Sequence, residues 1–153
     1  MINYKVRVRN LVRKYNTRSP YKLAKNLGIE ICELYLSWNM PLGFFKKILG
    51  KKFIVINLTK ANSEHDKEFA LAHELGHAIF HSSDNAFFLH DHTFYQRGKF
   101  ETEANKFAAE LLINENEIDK DSLENLCANQ LANYYGVPEE LILYKFKSKQ
   151  NYI

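Results

Sequence analysis

The segment with the clearest chemical potential is His73-Glu74-Leu75-Gly76-His77, which has the pattern H-E-x-x-H. Side chains four residues apart lie on one face of a helix, with Cβ atoms about 5–6 Å apart. The two imidazoles can therefore bind one zinc ion at roughly 2.0–2.1 Å. Glu74 lies beside the metal and is placed to take a proton from the attacking water. The pattern predicts His73 and His77 as metal ligands and Glu74 as the general base of a hydrolase.

A catalytic zinc normally has a third protein ligand, which leaves the fourth position for water. The helix predicted at residues 99–113 offers three carboxylates, Glu101, Glu103 and Glu110. At about 100° per residue, Glu101 lies roughly 60° from the centre of the apolar face, Glu103 roughly 100° and Glu110 roughly 120°. We therefore predict Glu101 as the third ligand, with Glu103 as the main alternative and with Glu103 and Glu110 facing solvent. Asn105 shares the side of Glu101 and could orient a ligating histidine from behind.

Other polar side chains lie near the pattern in sequence. His81 is one further turn along the helix, about 5.4 Å on, and is expected to be out of reach of the metal and to pack or cap the helix end. His90, His92 and Tyr95 belong to a loop predicted at residues 82–98. Any of these three could donate a hydrogen bond to a developing oxyanion, although each is also typical of an ordinary loop.

The surrounding pattern indicates an α+β fold, mostly helical, with a small β-sheet beside the active-site helix. Ser19-Pro20 is a helix start and Gly28 a helix stop. Residues 29–36 are expected to be extended. Phe53–Asn57 is the most strand-like segment, and at a sheet edge it could pair with an extended substrate. Helices are predicted at residues 3–16, 20–27, 64–81, 99–113, 121–135 and 138–147, and a β-hairpin at residues 43–58.

Length and composition fit one globular domain covering residues 1–153. The chain is 46% hydrophobic and 25% charged, and no apolar run is long enough to cross a bilayer. The N-terminus lacks the apolar stretch of a signal peptide. Cys32 and Cys127 are far apart, and we expect two free buried thiols in a reducing compartment. These features together predict a cytoplasmic protein.

The charge distribution is uneven along the chain. The first 60 residues carry 13 Lys and Arg and 2 acidic residues, whereas residues 61–153 carry 8 and 16. Such asymmetry is found in proteins that bind nucleic acid or an acidic partner. A solvated surface with attraction between the two halves also explains it, and this is the interpretation we favour, because charge is a weak guide to function. Nucleic-acid binding through the basic N-terminal third is kept as an alternative.

Two helical segments resemble the ImmA/IrrE family of metallo-endopeptidases. The resemblance rests on Leu71–His77 and Glu101–Leu112, with weaker matches at Leu23–Ile29 and Ile54–Asn57. It implies a zincin-like fold, in which a small sheet lies beside the active-site helix and the next helix carries the third ligand. One departure is visible: Ile113-Asn114 stands where the family commonly has Met-Pro after Leu-Leu.

The resemblance also implies a substrate, a helix-turn-helix transcriptional repressor of a phage or mobile element that is encoded close by. Cleavage of such a repressor releases the genes that it silences. Zn²⁺ is the expected cofactor, and the expected partner is this protein substrate, with no membrane; the oligomeric state is not readable from the sequence. Two alternatives stay open, a non-catalytic repressor- or DNA-binding module with a structural metal and a toxin–antitoxin component.

Overall fold

The computed structural model describes residues 1–81, 94–147 and 149, with the backbone alone at residues 94–97. Within these ranges the chain forms seven α-helices and three β-strands, with one short 3₁₀ helix at Glu115–Glu117. The elements in chain order are α1 (Tyr4–Tyr15), α2 (Pro20–Asn26), β1 (Ile29–Leu34), β2 (Gly43–Ile48), β3 (Lys51–Asn57), α3 (Glu64–Phe80), α4 (Phe94–Leu112), α5 (Lys120–Asn125), α6 (Ala128–Tyr135) and α7 (Glu139–Lys145). The predicted α+β class is confirmed.

The boundaries of α2 follow from the residues that flank it. Ser19 caps the helix by accepting a hydrogen bond from the backbone N–H of Lys22, and Pro20 occupies the first turn, where no N–H is needed. Gly28 has a φ of 71°, a conformation that glycine adopts without steric cost, and it turns the chain directly into β1. The predicted start and stop of this helix are confirmed.

The three strands form one sheet in the order β1-β3-β2, with β1 parallel and β2 antiparallel to β3. Leu49 and Gly50 join β2 to β3 and have φ values of 50° and 81°, as a tight hairpin turn requires. The predicted hairpin is confirmed. The condition under which Phe53–Asn57 could pair with a substrate, a position at the sheet edge, is not met, because β3 is the central strand and β2 is an edge strand.

The helices α3 and α4 approach each other closely at Gly76. A Cβ atom at Gly76 would lie 3.0 Å from the Cα atom and 3.2 Å from the carbonyl oxygen of Ala104. Nearby, Leu75, Ala104 and Phe107 are almost fully buried. The absence of a side chain at Gly76 therefore lets the backbone of α4 lie directly against α3.

Two helix boundaries differ from the prediction. Helix α4 begins at Phe94 rather than near residue 99, so part of the predicted loop is helical. Gly98 lies within this helix, and a glycine is a weak helix former that reads as a break in the sequence. The helix predicted at residues 121–135 is two helices, because the N-cap Cys127 and Gln130 form a capping box that starts α6.

Neither cysteine forms a disulfide, but the expectation that both are buried is wrong: Cys32 is half-buried and Cys127 is exposed. Cys127 is exposed because it caps the start of α6 at the surface. The core lies between the sheet and the helices; its fully buried large side chains include Leu23, Ile54 and Leu71. Within the described residues, every helix is too short or too polar to traverse a lipid bilayer.

The close approach at Gly76 predicts opposite effects for two glycine-to-alanine substitutions. Gly76→Ala should lower the free energy of unfolding by about 1–2 kcal/mol, since overpacking against a neighbouring backbone outweighs the gain in helix propensity. Gly98→Ala is the matched control, because no atom of the described part of the chain lies within 4 Å of a Cβ atom there. It should raise the free energy of unfolding by roughly 0.5–1 kcal/mol.

Urea unfolding of the metal-free protein, measured in the presence of a chelator, gives both values without a contribution from bound metal. Equal effects of the two substitutions would contradict the close packing of α3 on α4.

Candidate active site

Helix α3 carries both histidines of the H-E-x-x-H pattern on one face. The Nε2 atoms of His73 and His77 lie 3.1 Å apart. The helix is fixed in this orientation by its opposite side, where Ala72 and Leu75 are fully buried. Ser63 caps its start by accepting a hydrogen bond from the N–H of Asp66. The structure therefore brings the two predicted ligands together through packing on the far side of the helix.

Glu101 on α4 completes a triangle of donor atoms with the two imidazoles. One carboxylate oxygen lies 3.1 Å from Nε2 of His73, and the other lies 3.1 Å from Nε2 of His77. In a tetrahedral zinc site with bonds of about 2.0–2.1 Å, neighbouring ligand atoms are about 3.3–3.4 Å apart. These three side chains thus match the spacing that a metal of this size requires, and they offer the two-histidine and one-carboxylate set of a catalytic zinc.

The ring of His73 is held from behind by Asn105. Its Nδ1 atom lies 2.7 Å from Oδ1 of Asn105, and because that oxygen only accepts, the Nδ1–H of His73 is the donor. In the neutral ring, the proton at Nδ1 leaves the lone pair of Nε2 directed towards Glu101 and His77, as a metal ligand requires. The orienting role suggested for Asn105 from the sequence agrees with this contact.

Glu74 is buried beside the histidines, with a side chain that reaches the edge strand. The backbone N–H of Phe45 on β2 hydrogen bonds to its carboxylate. Ligand atoms of His73, Glu74 and His77 all lie within 4.8 Å of one another. In the metal-free protein, burial raises the pKa of Glu74 to about 7, opposed by the nearby His73. A carboxylate with a pKa near neutrality is well suited to accept and return a proton.

The ligand triangle is also electrostatically coupled in the absence of metal. Burial lowers the pKa of His77. Burial acts in the same direction on His73, but the hydrogen bond to Glu101 and the charges of Glu74 and Glu101 outweigh it and raise the pKa of His73. Burial opposes ionisation of Glu101, yet its hydrogen bonds to both histidines hold its pKa far below the usual range. In the metal-free protein the carboxylate of Glu101 therefore favours the protonated form of His73, whereas burial favours the neutral form of His77.

The triangle opens into a pocket of about 430 Å³ between β2 and the two helices. Its walls combine the polar groups already described with apolar side chains, and the side chain of Glu101 is 57% exposed because one flank borders this space. Leu42, Phe44, Phe69 and Phe100 contribute apolar surface. A pocket of this kind, apolar with a few convergent polar groups, is typical of a substrate site.

Two predictions about neighbouring carboxylates are wrong. Glu103 does not face solvent: its side chain is 17% exposed and accepts a hydrogen bond from His81 at 2.8 Å. Glu110 is also largely covered, because it pairs with Lys145 of α7. Both lie on α4, which is flanked by α1 and α7 as well as by α3. Because α4 has neighbours on three sides, its solvent-exposed face is narrower than we inferred from the single apolar stripe in its sequence.

His81 lies at the end of α3, where it was expected to pack or cap, and its side chain is 2% exposed. It contacts His77 on the ring edge opposite the triangle, so it does not join the three donor atoms. Of the loop residues proposed for the oxyanion, His90 and His92 lie outside the described residues, as does the side chain of Tyr95.

Asn57 is a positioning residue that the sequence did not reveal. It is fully buried at the end of β3. Its Oδ1 accepts from the N–H groups of Leu36 and Thr59, and its Nδ2 donates to the carbonyl groups of Ser37 and Met40. These bonds fix the connection between β1 and β2, which leads directly into the pocket wall. The only sign of this role in the sequence was an asparagine directly after four strand residues. An asparagine in that position is equally typical of a turn.

The family model described as "IrrE N-terminal-like domain" (Peptidase_M78) matches residues 24–147. The chain belongs to the ImmA/IrrE family of metallopeptidases. The matched range includes β1 to α7 and thus every residue of the triangle. Membership at this level implies a divalent metal and agrees with the donor set formed by the two helices.

Two relatives align along most of the chain. One is the "Uncharacterized immunity region protein 2" of Bacillus phage phi105, which is 35% identical over 140 residues and covers 90% of this chain and 85% of its own length. The other is "Metallopeptidase ImmA" of Bacillus subtilis (strain 168), which is 27% identical over 143 residues. This alignment covers 92% of this chain and 82% of the relative's length.

Substitution of Glu101 tests its assignment as the third ligand. We expect Glu101→Ala to weaken zinc binding by more than the roughly 10–100-fold that loss of a group behind a ligand costs, because it removes a ligand itself. Glu68→Ala is the matched control, since Glu68 is an exposed carboxylate on α3. Competition with a chromogenic chelator measures both affinities, and unchanged binding by Glu101→Ala would refute the assignment.

Proposed function

We propose that this chain is a zinc-dependent endopeptidase, in which His73, His77 and Glu101 hold the metal and Glu74 is the general acid–base. The observation that carries the proposal is the triangle of metal-binding atoms, whose members lie 3.1 Å from one another. The triangle faces a pocket, and the buried carboxylate of Glu74 lines the same pocket. The family supports the same reaction class, since one relative is named a metallopeptidase.

Peptide hydrolysis needs an activated water, a polarised carbonyl and a proton for the leaving amine. Zinc, when bound, supplies the Lewis acid that polarises the carbonyl and lowers the pKa of water. Glu74 takes the proton from the attacking water and delivers it to the amine nitrogen as the peptide bond breaks. The hydrogen bond from Phe45 holds the carboxylate of Glu74 in place between these two transfers.

The edge strand β2 provides the means to align an extended substrate. The N–H of Asn57 on β3 donates to the carbonyl of Leu42, so in the antiparallel pair the backbone groups of Leu42 and Phe44 point inward and those of Gly43 and Phe45 point outward. Gly43 also lines the pocket. A substrate strand that pairs with this outward edge would lie across the pocket, next to Glu74.

We propose as substrate a helix-turn-helix transcriptional repressor of a phage or mobile element, cleaved in the cytoplasm. The supporting observation is the phage relative, whose name places it in an immunity region. An extended segment of such a repressor would have to reach β2, so cleavage in an exposed linker is expected rather than within a folded helix.

A structural metal is the alternative function, and the pocket is the observation that weighs against it. Structural zinc sites are closed by four protein ligands. Among the residues that the structure describes, three donors surround the site and its fourth side borders the 430 Å³ pocket. This arrangement favours an open coordination position, which hydrolysis needs and a structural site does not.

Glu74→Gln tests the reaction directly. The variant should bind zinc as the unaltered protein does, but it should cleave the repressor encoded beside its gene at least about 100-fold more slowly, since acid–base catalysis contributes roughly 10²–10⁴-fold. Cleavage is followed by electrophoresis of the purified repressor after incubation with the zinc-loaded chain.

Glu68→Gln is the control, because it makes the same chemical change at an exposed position of the same helix. It should leave the rate unchanged. Normal cleavage by Glu74→Gln would show that another group is the base, and absence of cleavage by the unaltered protein would remove this repressor as a substrate.

A further inference from the structure

A second series of contacts runs behind the donor triangle, from α3 back to α4. Nδ1 of His77 lies 2.9 Å from Nδ1 of His81, and Nε2 of His81 lies 2.8 Å from a carboxylate oxygen of Glu103. The series therefore begins on the ring edge of His77 that faces away from the triangle and ends on an acid two residues after Glu101.

The direction of these hydrogen bonds is fixed at both ends. If Nε2 of His77 binds a metal, it carries no proton, so the proton of the neutral ring is at Nδ1 and is donated to Nδ1 of His81. His81 then accepts at Nδ1 and carries its own proton at Nε2, which it donates to Glu103. A carboxylate at the far end can only accept, so every atom in the series has a compatible role.

We propose that His81 and Glu103 are positioning residues that hold His77 in its metal-binding tautomer and ring orientation. The proposal rests on the proposed metal site, and it assigns to His81 a role that its sequence position alone did not indicate. His77 on α3 would thus be supported through another histidine, whereas His73 is supported directly by Asn105.

Packing holds His81 and Glu103 in the required positions. The ring of His81 lies against Phe100, with centroids 4.4 Å apart, and its backbone N–H donates to the carbonyl of His77 at 2.8 Å. The carboxylate of Glu103 lies 4.0 Å from Nζ of Lys99, one turn earlier on α4, and its side chain is only 17% exposed. The ring of His81 is therefore restrained independently of its hydrogen bond to Glu103, and Glu103 is largely covered by its surroundings.

Burial of an imidazole and a carboxylate is costly, and apolar side chains of similar volume often stabilise a fold at least as well. Stability of α3 against α4 is therefore not a sufficient reason for this pair. An outer hydrogen bond to a ligating histidine, in contrast, typically contributes 10–100-fold to metal affinity. The two explanations make different predictions for a variant in which both polar groups are replaced together.

The decisive variant is the double substitution His81→Leu with Glu103→Leu, which removes the series and leaves neither polar partner buried alone. His81→Gln is the conservative variant, because an amide can accept from His77 and donate to Glu103 as the imidazole does. Leu131→Ala is the stability control, since Leu131 is a fully buried residue of α6, whereas the series lies on α4 and at the end of α3.

Three quantities are measured on each purified chain: the melting temperature without metal, the zinc affinity by chelator competition, and the visible absorption spectrum with Co²⁺. The double variant should lose about 10–100-fold in zinc affinity and show an altered Co²⁺ spectrum, whatever its melting temperature. His81→Gln should stay within about tenfold of the unaltered protein. Leu131→Ala should melt at a lower temperature with unchanged zinc affinity and spectrum.

A double variant with normal zinc affinity and a normal Co²⁺ spectrum would overturn the positioning role while leaving the proposed metal site intact. If the unaltered chain bound no zinc, the proposed function and this inference would both be wrong. Equal loss of affinity in the double variant and in Leu131→Ala would also overturn the inference, since weakened packing would then account for it.

Discussion

The site depends on the distance between two helix backbones. At Gly76 the chain of α4 lies where a side chain of α3 would otherwise be, with the Cα of Ala104 only 3.0 Å from the position of a Cβ atom. A larger separation would withdraw the carboxylate of Glu101 from the two imidazoles. The same close approach permits four polar contacts between the helices: His73 contacts Asn105 and Glu101, His77 contacts Glu101, and His81 contacts Glu103.

Buried polar groups are stable only with partners, and the site shows how these are supplied. Glu74 receives a backbone N–H from the sheet, and His73 donates to an amide of the neighbouring helix. The Nε2 atoms of His73 and His77 and the carboxylate of Glu101 converge on one point, where a single cation could bind all three. The polar side chains that α3 and α4 direct towards each other at this point are therefore arranged around a position for positive charge, while apolar residues on the opposite side of α3 pack into the core.

Much of this arrangement could be predicted from helical periodicity. The spacing of His73 and His77 and the inward angle of Glu101 follow from 100° per residue, and the structure brings these groups together. The prediction that Glu103 faces solvent was wrong because it assumed that α4 packs against one neighbour through one apolar face. In the structure α4 is flanked by α1, α3 and α7. Periodicity gives the angle of a side chain around its own helix but not which neighbours stand at that angle.

Strand order was a second feature that the sequence left undetermined, although one signal was present. An almost continuous apolar run such as Phe53–Ile56 is typical of a strand covered on both sides, while Lys46 and Lys47 on β2 are typical of an exposed edge. Because β2 lies at the edge of the sheet, its outward backbone groups are available to two partners. Its outward backbone groups can pair with a substrate, and one of them, the N–H of Phe45, already fixes Glu74. The strand that would align the peptide is thus the strand that positions the base.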